Sequence, residues 1–158
     1  AVLSRWPVLS VENRPLPSSP DRDARTALTV QMRAGDGGPL LQFTSTHLDQ
    51  GRDSEDRVAQ ARSLEELPFI EGRATILAGD LNTRPDTDIM KMFEAHWVIA
   101  ASADAPPAVP DGRPRLRSDY VLFRPLEGWR VTESRVIDET VASDHRPVLV
   151  VLEWAGQR

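Results

Sequence analysis

The sequence predicts an α+β chain: stretches with strand-like alternation outnumber helical ones, a glycine-rich hairpin signal joins two of them, and helical patterning is confined to two segments. At 158 residues the chain is of single-domain size, with room for one good-sized core but not two, so residues 1–158 are expected to form one domain.

Taken in order, the opening stretch from Val2 to Glu12 mixes β-branched and polar residues and reads as extended. Pro15, Pro17 and Pro20, with Ser18 and Ser19 between them, then predict a loop. Ala27 to Met32 alternates as a strand and ends at Gly35-Asp36-Gly37-Gly38, a hairpin signal whose partner strand is Leu40 to Thr46. That strand delivers His47-Leu48-Asp49 at its end. Between Ser54 and Leu67, the apolar residues Val58, Ala61, Leu64 and Leu67 recur at helical spacing, with Ser54 as N-cap and Pro68 as a stop. Ala74 to Gly79 is a short, nearly all-apolar run, as expected for a strand covered on both faces, and it ends directly at Asp80-Leu81-Asn82. A second helix is expected over Asp88 to His96, capped by Thr87 or Asp86. Residues 102–117 carry Pro106, Pro107, Pro110 and Pro114 and predict a loop. Ser118 to Phe123, Trp129 to Ile137 and Arg146 to Trp154 complete the set as strands, and there is no internal repeat.

Composition narrows the function classes. A formal net charge of -5 and a pI near 5.2 argue against a protein held to nucleic acid by a general basic surface. They do not exclude a phosphate substrate, because an acidic site can bind phosphate through a divalent cation. Cysteine is absent, which removes disulfides, thiolate metal sites and Cys nucleophiles and leaves the compartment open, with the cytoplasm as default. No apolar run approaches the roughly 20 residues that span a bilayer, so no membrane span is expected and the chain reads as soluble. It begins Ala1-Val2-Leu3-Ser4-Arg5, without an initiator Met and already strand-like, so a fragment, a processed product or one half of something larger is expected.

The polar clusters share one placement. His47, Asp80 with Asn82, and Asp144 with His145 each fall at the end of an expected strand, where residues far apart in sequence can converge. Asp80 and Asn82, two apart in an extended or turning segment, offer a carboxylate and a carboxamide on one side of the chain; such hard oxygens suit Mg²⁺ or Mn²⁺ better than zinc. Asp144 adds a second hard anion and His145 an imidazole, which Asp119 can orient through its Nδ1 proton. A phosphoester at such a metal would meet polarised oxygens, an activated water and a cationic His. Each cluster alone also has a plain structural reading. Gly79-Asp80-Leu81-Asn82 suits a turn, Ser143 to Pro147 suits a loop before a final strand, and His47 beside Thr46 suits a hydrogen-bonded structural role. His96 has no partner motif and reads as structural, while Arg113, Arg115 and Arg117 read as a solvated loop.

Together the clusters say more. Thr46-His47-Leu48-Asp49, then Gly79-Asp80-Leu81-Asn82, then Ser118-Asp119-Tyr120, then Ser143-Asp144-His145-Arg146-Pro147-Val148 resembles the ordered motif set of the endonuclease/exonuclease/phosphatase superfamily. Deoxyribonuclease I, apurinic endonucleases, sphingomyelinases and inositol polyphosphate 5-phosphatases belong to it. Leu3-Ser4-Arg5-Trp6-Pro7 and Arg25-Thr26-Ala27-Leu28 also resemble the strands before the His motif in bacterial members, so the resemblance covers essentially the whole chain. It implies a deoxyribonuclease I-like four-layer α/β/β/α sandwich, truncated at its N-terminus, and a divalent-metal-dependent hydrolase of phosphoester bonds. His47 would lie near the scissile phosphate, and Asp80 and Asn82 would orient the attacking water and help hold metal and phosphate. Asp119 would support His145, which would bind and protonate a phosphoryl oxygen, while Asp144 would ligate the ion. Water would attack phosphorus in line, without a covalent enzyme intermediate.

The resemblance also implies what is missing. Relatives carry an earlier segment with an Asn, a Glu that is a principal metal ligand, and an acidic partner for the first His; Glu12 and Asn13 fall on a later strand and do not replace them. Loss of a principal carboxylate would weaken Mg²⁺ binding, so an isolated chain with reduced activity or none is an outcome the resemblance allows. Loss of strands from a partner sheet would expose apolar surface, to be covered by self-association or a complementing N-terminal segment. The alternative is a non-catalytic relative acting as a self-associating or binding module. Nucleic acid, phospholipid head groups and sugar or inositol phosphates all stay open as substrates, with the acidic charge leaning against non-specific DNA binding.

Overall fold

In a computed structural model that describes residues 1–52, 55–68, 70, 73–100, 118–124, 128–139 and 141–154, the chain divides into two units, Ala1–Asn82 and Thr83–Arg158. Strands with few helices make the chain α+β, as expected.

The first unit holds β1 (Val8–Pro15), β2 (Thr26–Arg33), β3 (Leu40–His47), α1 (Glu55–Glu65) and β4 (Ala74–Asp80). Its strands lie in the order β1-β2-β3-β4, antiparallel up to β3 and parallel between β3 and β4. The hairpin turn between β2 and β3 closes through Ala34 N donating to Pro39 O at 3.0 Å, and Gly35 and Gly37 supply positive φ of 74° and 71°. A parallel pair cannot be joined by a tight turn, and α1 occupies the crossover. Ala61, Leu64 and Leu67 are buried, but Val58 stays 38% exposed, so Gln60 and Ser63 share the buried side of the helix. Between β2 and β3 the facing Thr29 and Thr44 bury their hydroxyls against each other at 2.9 Å.

The opening strand departs from expectation: it runs Val8–Pro15 rather than from Val2. Ser4 Oγ accepts from Trp6 N and is itself 3.0 Å from Trp6 O, a local turn that competes with extended pairing before Pro7. At the other end, Pro15 is tolerated because β1 pairs only with β2 within this unit, and a strand that lies at an edge can spare an N–H.

The second unit holds α2 (Asp88–Glu94), β5 (Val98–Ile99), β6 (Asp119–Arg124), β7 (Trp129–Val136) and β8 (Val148–Trp154). Thr87 caps α2 by accepting from Met90 N, and the helix ends at Glu94 rather than His96. β5, a two-residue strand, pairs antiparallel with β6; β7 and β8 form an antiparallel pair with an irregularity between Val131 and Glu133. Ile89, Met90, Phe93, Trp97, Tyr120, Leu122 and Phe123 are buried here. Tyr120 donates its hydroxyl to Thr83 O at 3.0 Å, and Trp129 packs in tilted contact with Phe123 and Trp154, with centroids 6.4 and 4.8 Å away. The expected cap Ser54 and the loop over 102–117, with Arg113, Arg115 and Arg117, lie outside the described residues. Among the described residues no helix is long and apolar enough to cross a membrane.

Candidate active site

In the first unit, strand register does most of the positioning. The parallel pairing of β3 with β4 sets His47 opposite Asp80, each the last residue of its strand. His47 Nε2 lies 3.5 Å from Asp80 Oδ2, with 53% and 15% of the two side chains exposed. Gly79, one residue earlier, has φ +153°, and a Cβ there would stand 2.0 Å from Thr46 O. Only glycine lets the two backbones approach so closely where the polar ends begin.

Beyond the strands the chain is laced together. Leu48 N donates to Asp80 O at 2.9 Å, and Asn82 returns the bond by donating Nδ2 to Leu48 O at 2.9 Å. Asn82 N donates to Asp80 Oδ1 at 2.8 Å, an Asx turn that closes the chain just beyond the strand end. Asn82 has φ 47°, the left-handed region that Asn tolerates better than most residues. The expectation that Asp80 and Asn82 share one turning segment therefore takes a specific form, in which the carboxamide nitrogen is spent on Leu48.

In the second unit, a side-chain hydrogen bond does the positioning. Asp119, the first residue of β6, places Oδ2 2.8 Å from His145 Nδ1, and Ser118 Oγ lies 3.4 Å from the same oxygen. A carboxylate at Nδ1 favours the tautomer with the proton on that nitrogen and fixes the orientation of the ring. His145 N donates to Ser143 Oγ at 3.1 Å, and Ser143 Oγ donates to the exposed Asp144 at 3.3 Å. The loop before β8 is pinned by Ile137 N donating to Pro147 O at 2.8 Å, by Arg146 against Asp138 at 3.5 Å, and by Glu139 Oε1, which accepts from Val141 N and Ala142 N.

Sequence reading did not single out Gly79, Asp138, Glu139 or Arg146 for these roles. Gly79 carried a usable signal, a glycine between an apolar strand and an Asp-x-Asn turn. The roles of Asp138 and Glu139 depend on the loop's path and carried none. By type, the Asp80 carboxylate and the Asn82 carboxamide oxygen in the first unit, and separately the Asp144 carboxylate in the second, are hard oxygen donors of the kind a divalent cation takes.

A sequence model of the Endonuclease/Exonuclease/phosphatase family matches residues 1–145, and the chain belongs to that family. Solved structures agree on the fold. The endonuclease/exonuclease/phosphatase from Beutenbergia cavernae is 25% identical with a TM-score of 0.79, covering 97% of this chain and 47% of its own. The one from Bacteroides vulgatus is 20% identical with a TM-score of 0.78, covering 94% of this chain and 66% of its own. A mannosyl-6-phosphatase from Bacteroides thetaiotaomicron is 19% identical with a TM-score of 0.74, covering 94% and 67%. The chain thus spans about half to two thirds of the length of these relatives. No curated protein matches it.

Proposed function

We propose that this chain, working as one partial domain of its family, hydrolyses phosphoester bonds with the help of a divalent cation, Mg²⁺ or Mn²⁺. The observation that carries the reading is the Asp119–His145 pair: two motif residues far apart in sequence meet at 2.8 Å in the geometry that readies an imidazole for a phosphoryl oxygen. Family membership supports it, since a relative of the same fold is a mannosyl-6-phosphatase.

Under this reading each residue has a task. Asp80 and Asn82 orient the attacking water, and their oxygens together with Asp144 would hold the cation. When bound, that cation supplies Lewis-acid polarisation of the phosphoryl group. His47 stands at the phosphate, and His145, oriented by Asp119, binds a phosphoryl oxygen and delivers a proton. Water attacks phosphorus in line, the P–O bond to the leaving group breaks, and no covalent intermediate forms on the enzyme.

The test is hydrolysis of bis(p-nitrophenyl) phosphate and of sugar phosphates with Mg²⁺, with excess chelator, and in the variants Asp80→Ala and His145→Ala. Activity that needs the cation and falls in both variants is expected. Equal activity in wild type and both variants would sink the reading.

A further inference from the structure

Gln60 is a glutamine in the middle of α1 with no exposed surface, and both ends of its amide are committed. Its Oε1 accepts from Asp49 N at 2.8 Å, and its Nε2 donates to Pro17 O at 2.9 Å. A fully buried glutamine is uncommon, because the amide is costly to desolvate unless every group is paired. Here it satisfies two loop backbone groups that have left their strands.

One of those groups matters for the site, because Asp49 is two residues beyond His47. The His47 side chain is 53% exposed and its Asp80 contact, at 3.5 Å, is too long to fix the ring. Its place is set by the backbone on either side. Upstream that is the ladder of β3; downstream it is Leu48, tied to Asp80 and Asn82, and then Asp49. Residue 49 is held from both ends by one helix: Gln60 takes its N–H, and Arg57, three residues earlier on α1, donates to its carbonyl at 3.1 Å. The Asp49 carboxylate is itself buried and accepts from Gly51 N at 2.8 Å, which bends the chain away from the strand end.

We propose that Gln60 is a positioning residue for His47, fixing the imidazole by holding the Asp49 amide. The proposal rests on the hydrolytic reading for the role of His47, but the placement itself is measurable without turnover. The decisive comparison uses Gln60→Met, which keeps the bulk and loses both hydrogen bonds, and Gln60→Glu, which keeps an acceptor for Asp49 N. In each, hydrogen exchange at the Asp49 amide and the Cε1–H cross-peaks of His47 and His145 are followed by NMR, beside kcat and KM for bis(p-nitrophenyl) phosphate with Mg²⁺.

In Gln60→Met the Asp49 amide exchanges faster, the His47 cross-peak moves, the His145 cross-peak stays, and kcat falls by about 10- to 100-fold with KM nearly unchanged, the cost of a misplaced group. In Gln60→Glu, Asp49 protection and the His47 cross-peak both stay near wild type and most of kcat returns. A merely structural glutamine would lower the melting temperature without moving one histidine alone. A His47 cross-peak that stays put while Asp49 loses protection, or moves while Asp49 keeps it, overturns the proposal. Should Gln60→Met fail to fold, Gln60→Glu decides by the same pairing of the two signals. Should wild type fail to hydrolyse, the hydrolytic reading falls, and the NMR comparison still decides the positioning.

Discussion

His47 and His145 each stand beside an aspartate, yet the two pairs are built from different materials. In the first unit the partners are 3.5 Å apart and owe their meeting to parallel strand register, a glycine that lets two backbones touch, and a lacing of main-chain bonds. In the second they are 2.8 Å apart, joined side chain to side chain, with loop bonds around them. The first pair should therefore be sensitive to changes that move backbone and tolerant of modest changes in the carboxylate's own bonding. The second should show the reverse. Precision at a site can be supplied by the main chain or by a side chain, and mutation tells which.

The largest expected effect tests the backbone-built pair. Gly79→Ala puts a methyl 2.0 Å from Thr46 O at a φ of +153°, so β3 and β4 must separate. A loss of roughly 3 kcal/mol or more is expected in urea unfolding, from overpacking plus backbone strain. Wild-type stability in Gly79→Ala would mean the strand ends are not pinched together. Next comes the side-chain-built pair. Asp119→Asn keeps the shape but changes the partner at Nδ1, and is expected to lower kcat by about 10- to 100-fold with a small change in melting temperature. If instead stability collapsed while kcat per folded molecule held, the pair would be structural.

A smaller effect sharpens the first pair. Asn82→Ala removes the bond to Leu48 O and the residue best suited to φ 47°, and should cost on the order of 1–2 kcal/mol, readable as a shift in urea midpoint. The smallest is a control in the second unit, where Lys91 and Asp88 lie 2.9 Å apart, about as close as Asp119 and His145, but at the surface. The hydrogen bond to Lys91, and then its charge, hold the Asp88 carboxyl below its usual range. A carboxyl lowered in the folded state adds stability above its unfolded pKa and loses it as pH falls through the lowered value. Because both groups are fully exposed, Lys91→Ala should leave the melting curve unchanged at neutral and acid pH. A clear shift there would show that distance, rather than burial and context, governs these pairs.

Much of the frame was legible in the sequence, and the reasons are local. Period-two alternation and the Gly-rich turn located β2 and β3, and the apolar run ending at Asp80 located β4, because these signals are written in neighbouring residues. His47 and Asp80 stood out at strand ends for the same reason, whereas Asp144 and His145 lie in the loop before β8, which begins at Val148 rather than at the expected Arg146. What escaped depends on partners distant in sequence. β5 is two residues long and exists through its pairing with β6, and Gln60 looks like any surface helix residue until Asp49 and Pro17 are beside it. The start of β1 was misplaced because Ser4 and Trp6 settle their own hydrogen bonds locally.

The parallel join between β3 and β4 also has a kinetic meaning. Antiparallel β2 and β3 can zip from their turn, but His47 cannot face Asp80 until the chain through α1 has closed a long loop and returned in register. That closure must be met before the contact gives anything back. The His47–Asp80 contact is thus expected among the later parts of the first unit to assemble during folding, and a chain caught before the crossover closes would carry a finished hairpin with His47 and Asp80 still apart.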